Sequence, residues 1–325
     1  MTWVSLGEGP KQGMLSFPRR LLPLLAALAA AAPMRAQPAH AHILGVTEPA
    51  YYVHDMARAR QFYEGFLGFA EPFSLNNPDG SLAYVWVKIN DHQTIELRPE
   101  KAPNTDRLVH IAFETDNAEA LRLELTAKGM TVSAIHASKT GAAHFALTDP
   151  DGHAVEFIQY LPGGWMDRDR GRHLPATRVS MHMSHFGIMV HNLTAAQHFY
   201  HDLLGFTETW RGSGNGQRLS WVNMRVPDGT DWVEFMLYDK MPTLAHVGVS
   251  HHYCLITPDV TQASALLSGR PLPAGATYAP AFIVGTDKKR QIHAFDPDGT
   301  RVEIMEPGPA DGIPAPSSAA PPPGA

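Results

Sequence analysis

Two short motifs each occur twice in this chain and alternate along it, and this repetition limits the possible folds more than any other feature. Residues 60–69 read RQFYEGFLGF and residues 197–206 read QHFYHDLLGF, so both contain the pattern FYxxxLGF. Residues 149–156 read DPDGHAVE and residues 296–303 read DPDGTRVE. Because the second motif follows the first in each half, we expect the chain to consist of repeated supersecondary units.

Each motif predicts its own local structure. In FYxxxLGF, apolar residues at helical spacing, such as Phe62 and Phe66, predict a helix with one buried face, and Gly68 stands where a helix would end. A DPDG turn followed by alternating apolar residues predicts a tight turn that leads into a strand. A short apolar stretch precedes each FYxxxLGF helix, so the order strand, helix, strands is expected four times. The four modules are predicted at residues 43–100, 106–161, 181–240 and 247–306.

Composition excludes several classes of function. With 325 residues, of which 44% are hydrophobic and 18% charged, the chain is long enough for about two soluble domains. Its formal net charge is −6 and it has no run of Lys and Arg, which argues against nucleic-acid binding. Its single cysteine, Cys254, cannot form an intrachain disulfide. We therefore expect a small molecule as the partner and no nucleic acid, while the oligomeric state stays open.

The segments outside the modules have compositions of their own. Arg19 and Arg20 precede an apolar run from Leu21 to Ala32, which suits a signal peptide and is too short for a membrane span. Residues 1–41 are therefore predicted to be a signal peptide, which predicts a periplasmic or secreted protein with no membrane anchor after cleavage. Residues 162–180 are predicted to be a linker. Residues 307–325 are rich in Pro, Ala and Gly and are predicted to be disordered.

The alternation of FYxxxLGF and DPDGxxxE resembles the vicinal oxygen chelate superfamily, which includes glyoxalases, bleomycin-resistance proteins and extradiol dioxygenases. The resemblance covers nearly all of the chain between the signal segment and the tail. It implies an α+β fold of four βαβββ modules, paired into two glyoxalase-like domains at residues 43–161 and 181–306. In that superfamily, two modules form an open barrel around a metal, whose ligands come from the first and last strands of each module.

The matching positions of the second domain hold two histidines and two glutamates. They are His185, Glu234, His252 and Glu303. Each glutamate is flanked by apolar residues, as in Val302-Glu303-Ile304, and so faces away from them in a strand. A carboxylate inside a small barrel is costly unless it is paired or bound to a metal. The set is therefore predicted to bind a divalent metal (Zn, Mn, Fe, Co or Ni).

The first domain holds a different set at the same positions. They are Glu48, Glu96, His110 and Glu156. Three carboxylates and one histidine would favour a harder ion such as Mn or Mg, so these residues form a second, weaker candidate site. The alternative is that this domain has lost its metal and serves only as structure.

The resemblance and the ligand set together predict a metal-dependent isomerase or lyase of the glyoxalase type, acting on a small oxygen-chelating substrate. The metal would stabilise an enediolate-like intermediate, and Glu303 or Glu234 would act as the catalytic base that moves a proton. Lactoylglutathione fits poorly as the substrate, because glutathione is scarce outside the cytoplasm.

Two alternatives remain open at this point. His185, His252 and Glu303 also match the ligand pattern of Fe(II) extradiol dioxygenases, although Glu234 would fill a position that those enzymes keep for oxygen. The second alternative is a non-catalytic protein that binds ligands, like the bleomycin-resistance proteins, but such proteins usually lack the ligand set.

Overall fold

The computed structural model describes residues 41–103, 105–240 and 242–323. The predicted signal peptide therefore lies outside the described residues, apart from Ala41. Within the described residues, no helix is long and apolar enough to cross a membrane.

The first half of the chain forms one eight-stranded sheet and two helices on its connections. Its strands are β1 (Ile43–Val53), β2 (Ala70–Asn76), β3 (Leu82–Asn90), β4 (Gln93–Pro99), β5 (Leu108–Thr115), β6 (His136–Ala137), β7 (Ala142–Thr148) and β8 (Ala154–Tyr160). Its helices are α1 (Met56–Arg60), which continues as a π-helix over Gln61–Phe66, and α2 (Ala118–Ala127). A short helix, α3 (Trp165–Arg168), follows this sheet.

The second half repeats this arrangement. Its strands are β9 (His182–Val190), β10 (Thr207–Gly212), β11 (Trp221–Arg225), β12 (Trp232–Leu237), β13 (His252–Ile256), β14 (Thr277–Val284), β15 (Lys289–Phe295) and β16 (Arg301–Pro309). Its helices are α4 (Leu193–Gln197), which continues as a π-helix over His198–Leu203, α5 (Leu244–Ser250) and α6 (Val260–Ser268).

The two sheets have the same topology. Their strand orders are β2-β3-β4-β1-β5-β8-β7-β6 and β10-β11-β12-β9-β13-β16-β15-β14. In each sheet the first strands of two modules pair antiparallel at the centre, and each of them pairs in parallel with the last strand of its own module. This confirms the predicted α+β fold of four βαβββ modules, paired into two domains.

The repeated motifs meet across the two domains. The hydroxyl of Tyr63, in the first FYxxxLGF helix, donates a hydrogen bond of 3.0 Å to Asp296 in the second DPDG turn. In the same way, Tyr200 donates to Asp149 in the first DPDG turn over 3.2 Å. All four groups are buried, so each bond to a carboxylate is worth about 1.5–3 kcal/mol. The helix tyrosines and the aspartates of the DPDG turns thus join the two domains.

The predicted linker is folded against the first sheet. Trp165 stacks on Phe73, with ring centroids 4.3 Å apart, and meets Trp86 edge to face at 5.4 Å. The fully buried ammonium of Lys88 donates to the carboxylate of Asp169 over 2.9 Å and lies 2.8 Å from Asp91. Because a buried charge needs its partners, this ion pair fixes the linker to the first domain.

Residues 307–323 are not the disordered tail that their composition predicted. Strand β16 extends to Pro309, and the following residues run back along the second domain. The Ser318 amide donates to the carbonyl of Arg211 on edge strand β10, and the Pro321 carbonyl accepts from Leu219, both over 2.9 Å. Composition is a poor guide here because backbone hydrogen bonds to a free sheet edge do not depend on apolar side chains.

Candidate metal centre

Strand register lines up the predicted ligands of the second domain in two neighbouring rows across its sheet. The first row runs Trp210, Asn223, Glu234, Gly187, His252 and Arg301. The second row runs Trp232, His185, Cys254, Glu303 and His293. Val302 and Ile304 lie in the hydrophobic core, so strand alternation turns Glu303 to the opposite face, towards a cavity of about 280 Å³.

Three of the predicted ligands, His185, Glu234 and Glu303, line this cavity, and the fully buried His252 lies close to both glutamates. His185 Nε2 lies 3.5 Å from a carboxylate oxygen of Glu303, and His252 Nε2 lies 3.4 Å from one of Glu234. His252 Nε2 is also 4.0 Å from Glu303. One potential ligand atom from each of His185, Glu234 and His252 lies within 4.8 Å of the others. Metal ligands stand about 2.0–2.2 Å from the ion, so only small side-chain movements separate this set from a coordination shell.

Each of the two imidazoles has Nδ1 near a protein oxygen and Nε2 near a carboxylate. His252 Nδ1 donates to the carbonyl of Ser250 over 2.9 Å, which leaves Nε2 with its lone pair towards the carboxylates. His185 Nδ1 lies 3.2 Å from the hydroxyl of Ser184, and its buried Nε2 has no hydrogen-bond partner among the described residues. Such an orphaned nitrogen beside carboxylates is consistent with a metal ligand, so the residues present fit a divalent ion.

The ionisable groups of this site have pKa values that are shifted in different directions. Burial lowers the pKa of His185, and burial with the neighbouring Arg301 lowers the pKa of His252 to about 3, so both rings are neutral at pH 7. Burial raises the pKa of Glu234 to about 7. Burial alone would also raise the pKa of Glu303, but Arg301, His185 and His293 hold it well below its ordinary value.

Two polar side chains at this site did not emerge from the sequence. Arg301 Nη2 lies 2.8 Å from His252 Nδ1 and 3.1 Å from Nε2, so metal binding at Nε2 requires the guanidinium to move aside. His293 Nε2 lies 3.2 Å from Glu303. Arg301 stands two residues before Glu303 and shares its strand face, a signal that was available. His293 is opposite Glu303 only through strand register, which the sequence does not reveal.

Gly187 makes room for the His252 ring. A Cβ atom at this position would lie 1.9 Å from His252 Cε1 and 2.1 Å from Nδ1. Ordinary contacts between such atoms are about 3.5–4.0 Å, so no side chain fits here while the ring keeps its place. In the first domain the equivalent position, opposite His110, holds Ala50.

The predicted residues of the first domain also come together, at a cavity of about 380 Å³. His110 lies between two carboxylates, with Nε2 3.5 Å from Glu48 and Nδ1 3.4 Å from Glu156. One potential ligand atom from each of Glu48, Glu96 and His110 lies within 4.8 Å of the others. Register places these residues as it places their counterparts in the second domain.

Basic side chains next to the first-domain cluster form ion pairs with its glutamates. Arg98 forms an ion pair with Glu96, and His144 lies 3.1 Å from Glu156. Burial opposes the charged form of His110, but Glu156 and Glu48 raise its pKa above the ordinary value. Burial likewise opposes ionisation of Glu156, yet His110 and His144 lower its pKa to about 2. The raised pKa favours the protonated form of His110, which offers no lone pair to a metal, whereas the imidazoles of the second domain are neutral.

The tandem barrel-type sheets and their inward-facing histidines and glutamates define a protein of the vicinal oxygen chelate class. The family described as "Glyoxalase/Bleomycin resistance protein/Dioxygenase superfamily" matches residues 41–157 and 182–304. The chain therefore belongs to this superfamily, which confirms the resemblance drawn from its motifs.

Solved structures with the same fold include both dioxygenases and a glyoxalase. The 2,3-dioxygenase LapB from Pseudomonas sp. KL28 is 18% identical, with a TM-score of 0.64 over 82% of this chain and 93% of that one. The Mn(II)-bound glyoxalase from Novosphingobium aromaticivorans is 19% identical, with a TM-score of 0.61 over 82% of this chain and 83% of that one. A catechol 2,3-dioxygenase is 14% identical, with a TM-score of 0.60 over 87% of this chain and 92% of that one. No curated protein sequence matches the chain. At these identities the likeness shows the fold alone.

Proposed function

We propose that the chain is a metal-dependent enzyme of the glyoxalase type, an isomerase or lyase, with its active site in the second domain. The observation that supports this proposal is that Glu303 has more ion-pair contacts than Glu234. Glu303 is held by Arg301, His185 and His293. Glu234 lies at the cavity, its side chain is 14% exposed, and its one ion-pair contact among the described residues is with His252. This difference in contacts supports Glu303 as the fixed ligand and Glu234 as the carboxylate that can dissociate.

His185, His252 and Glu303 would hold a divalent ion, with Glu234 as a fourth ligand that can dissociate. When bound, such an ion supplies Lewis-acid polarisation of two neighbouring substrate oxygens. Mn(II) is bound by the glyoxalase of the same fold, and the ligand set of two histidines and two glutamates suits that ion as well as Zn, Fe, Co or Ni.

In this proposal Glu234 is the base that transfers the proton. Its carboxylate takes a proton from the carbon beside the two oxygens and becomes a neutral carboxyl group. It then returns the proton to the neighbouring carbon or oxygen, so the substrate is rearranged without any oxidant. A buried carboxylate suits this role, because burial raises the pKa of Glu234 to about 7 and so allows it to gain and lose a proton near neutral pH.

Ring-cleaving dioxygenation is the second candidate, and the smaller number of ion-pair contacts at Glu234 supports it as well. If Glu234 moves away, His185, His252 and Glu303 remain as the two-histidine, one-carboxylate set that non-haem Fe(II) oxygenases use. The two reactions then differ in their need for oxygen, which makes them separable.

The test uses Glu234→Gln, with Glu96→Gln at the equivalent position of the first domain as the matched control. If Glu234 is the base, solvent-deuterium exchange into an α-hydroxycarbonyl compound should fall about 10²–10⁴-fold in Glu234→Gln and stay unchanged in the control. Metal content should be kept, because an amide oxygen can still ligate. Oxygen uptake with catechols on Fe(II)-loaded protein, undiminished in Glu234→Gln, would overturn the proposal in favour of the dioxygenase. Elemental analysis without any bound metal would overturn both.

A further inference from the structure

Cys254 lies between two of the proposed metal ligands. In strand register it is the partner of His185 on β9 and of Glu303 on β16, so the three side chains form one row across neighbouring strands. Its neighbours Tyr253 and Leu255 belong to the hydrophobic core, whereas Cys254 does not. Because side chains alternate along a strand, Cys254 faces the same side of the sheet as the two ligands.

The thiol is close enough to both ligands to share an ion with them. One nitrogen of His185, the sulfur of Cys254 and one carboxylate oxygen of Glu303 all lie within 4.8 Å of one another. Bonds to zinc are about 2.3 Å long from sulfur and about 2.0–2.2 Å from nitrogen or oxygen, so two ligands of one ion are at most about 4.5 Å apart. The thiol itself makes a weak hydrogen bond of 3.7 Å to the Leu255 carbonyl, which an ion can readily replace.

The contacts of the other two groups also leave a place for an ion. The buried Nε2 atom of His185 has no hydrogen-bond partner among the described residues, and it lies 3.5 Å from Oε2 of Glu303. His293 and Arg301 contact the other oxygen, Oε1, at 3.2 Å and 3.8 Å. Oε2 of Glu303 is therefore the oxygen that can bind an ion together with His185.

The first domain has no thiol at the corresponding place. Its row in the same register consists of Glu48, Ala112 and Glu156, so Ala112 stands where the second domain has Cys254. Both residues are fully buried. Packing at this point of the fold is thus possible without sulfur, and the thiol occurs in the domain with two candidate histidine ligands.

We propose that Cys254 is a metal ligand that acts with His185 and Glu303 to hold divalent ions with affinity for sulfur, such as Zn(II), Co(II) or Cd(II). A second triad of possible ligands, His185, Glu234 and His252, offers only nitrogen and oxygen. Thiolates favour soft ions and carboxylates favour Mn(II), so the two triads, which share only His185, select different ions. The thiol proton passes to solvent when the bond between sulfur and the ion forms. This inference rests on the proposed metal centre but not on the reaction assigned to it.

The test is the difference absorption spectrum that Co(II) produces when it is added to metal-free protein. Thiolate bound to Co(II) gives a charge-transfer band in the near ultraviolet, which nitrogen and oxygen ligands do not give. Because Cys254 is the only cysteine of the chain, no other residue can supply a thiolate. We expect the band in the unmodified protein and its loss in Cys254→Ser and Cys254→Ala, the second of which copies Ala112 of the first domain.

Metal affinities, measured by competition with a chelator, supply a second readout. Loss of an outer-shell partner costs about 10–100-fold in metal affinity, so Cys254→Ala should weaken Zn(II) binding by at least that much and leave Mn(II) binding unchanged. Met305→Leu is the matched control, because Met305 places a thioether sulfur at the cavity and leucine is of similar size. It should keep the band and both affinities.

Each outcome bears on one proposal. Absence of the band in Co(II)-treated unmodified protein, or a band that survives Cys254→Ser, would overturn Cys254 as a ligand. If Mn(II)-dependent proton exchange continues in either case, the proposed function stands. Conversely, a band that depends on Cys254 together with no proton exchange with any of these ions would leave the ligand standing and overturn the proposed reaction.

Discussion

Gly187→Ala should disable the metal centre while leaving the fold intact. The added Cβ would lie 1.9 Å, 2.1 Å and 2.6 Å from three atoms of the His252 ring. Because ordinary contacts need about 3.5–4.0 Å, the ring must shift by well over 1 Å, and Nε2 then leaves the carboxylates that it faces. Ala50 at the equivalent position of the first domain shows that the backbone itself accepts a methyl group there.

The expected size of the effect follows from what is displaced. Loss of an outer-shell partner costs about 10–100-fold in metal affinity, and displacing a ligand should cost at least that much. Overpacking should cost about 1–3 kcal/mol of folding stability. The assay is competition for Mn(II) or Zn(II) against a chelator of known affinity, with thermal unfolding of the same metal-free samples.

Gly65→Ala is the control, because a Cβ there has no atom within 4 Å. It should leave metal affinity unchanged and alter stability by less than about 1 kcal/mol. If Gly187→Ala binds metal as tightly as the unmodified protein, then His252 is not a ligand in the orientation described, and the reasoning fails.

Four further predictions concern the rest of the chain. Metal titration should show about one tight site per chain, lost in His185→Ala and kept in His110→Ala; equal losses would show that the two sites are wrongly ranked. The pKa of Glu156, lowered to about 2, means that its contribution to stability is present above the unfolded value near 4.5 and is lost as pH falls towards 2. The stability difference between the unmodified protein and Glu156→Gln should therefore shrink over that range in acid titrations followed by circular dichroism, and a constant difference would contradict the ion pairs. Truncation after Pro309 should speed hydrogen exchange at the Leu219 amide, which donates to Pro321, and leave the Phe206 amide, which donates to Tyr200, protected; unchanged exchange at Leu219 would show that the tail does not dock in solution. N-terminal sequencing of the exported product should begin near Gln37 or His42, and a cytoplasmic protein that keeps Leu21 would refute export.

Much of the architecture could be predicted because its signals are local. The helical spacing in FYxxxLGF and the DPDG turns can each be recognised within ten residues. Their alternation along the chain predicts the number of modules. The faces of Glu234 and Glu303 also follow from local alternation with apolar neighbours. The partners of Tyr63 and Tyr200 could not be predicted, because the turns that they contact belong to the other domain and are far away in the chain.

The rest of the site depends on strand register, which is set by pairing between distant strands. His293 faces Glu303, and Asn223 faces Glu234, only because two hairpins close in one register. Nothing in the local sequence of β11 or β15 indicates these pairings. The docking of the tail is unpredictable for a related reason, since its hydrogen bonds go to backbone groups of a sheet edge and leave no side-chain signature.

The two domains place ligand-type residues at the same positions, yet we expect the two clusters to differ in metal affinity. Both clusters have their residues at the same points of the same topology, and both contain an arginine. In the first domain, three carboxylates raise the pKa of the single histidine and so favour its protonated form, although its Nε2 also has no hydrogen-bond partner among the described residues. In the second domain, two carboxylates face two neutral imidazoles, of which His185 keeps an unpartnered nitrogen. If a glutamate in place of one histidine favours the protonated form of the other, the first-domain cluster should bind metal more weakly than the loss of one ligand alone would explain, and the titrations of His185→Ala and His110→Ala test this ranking.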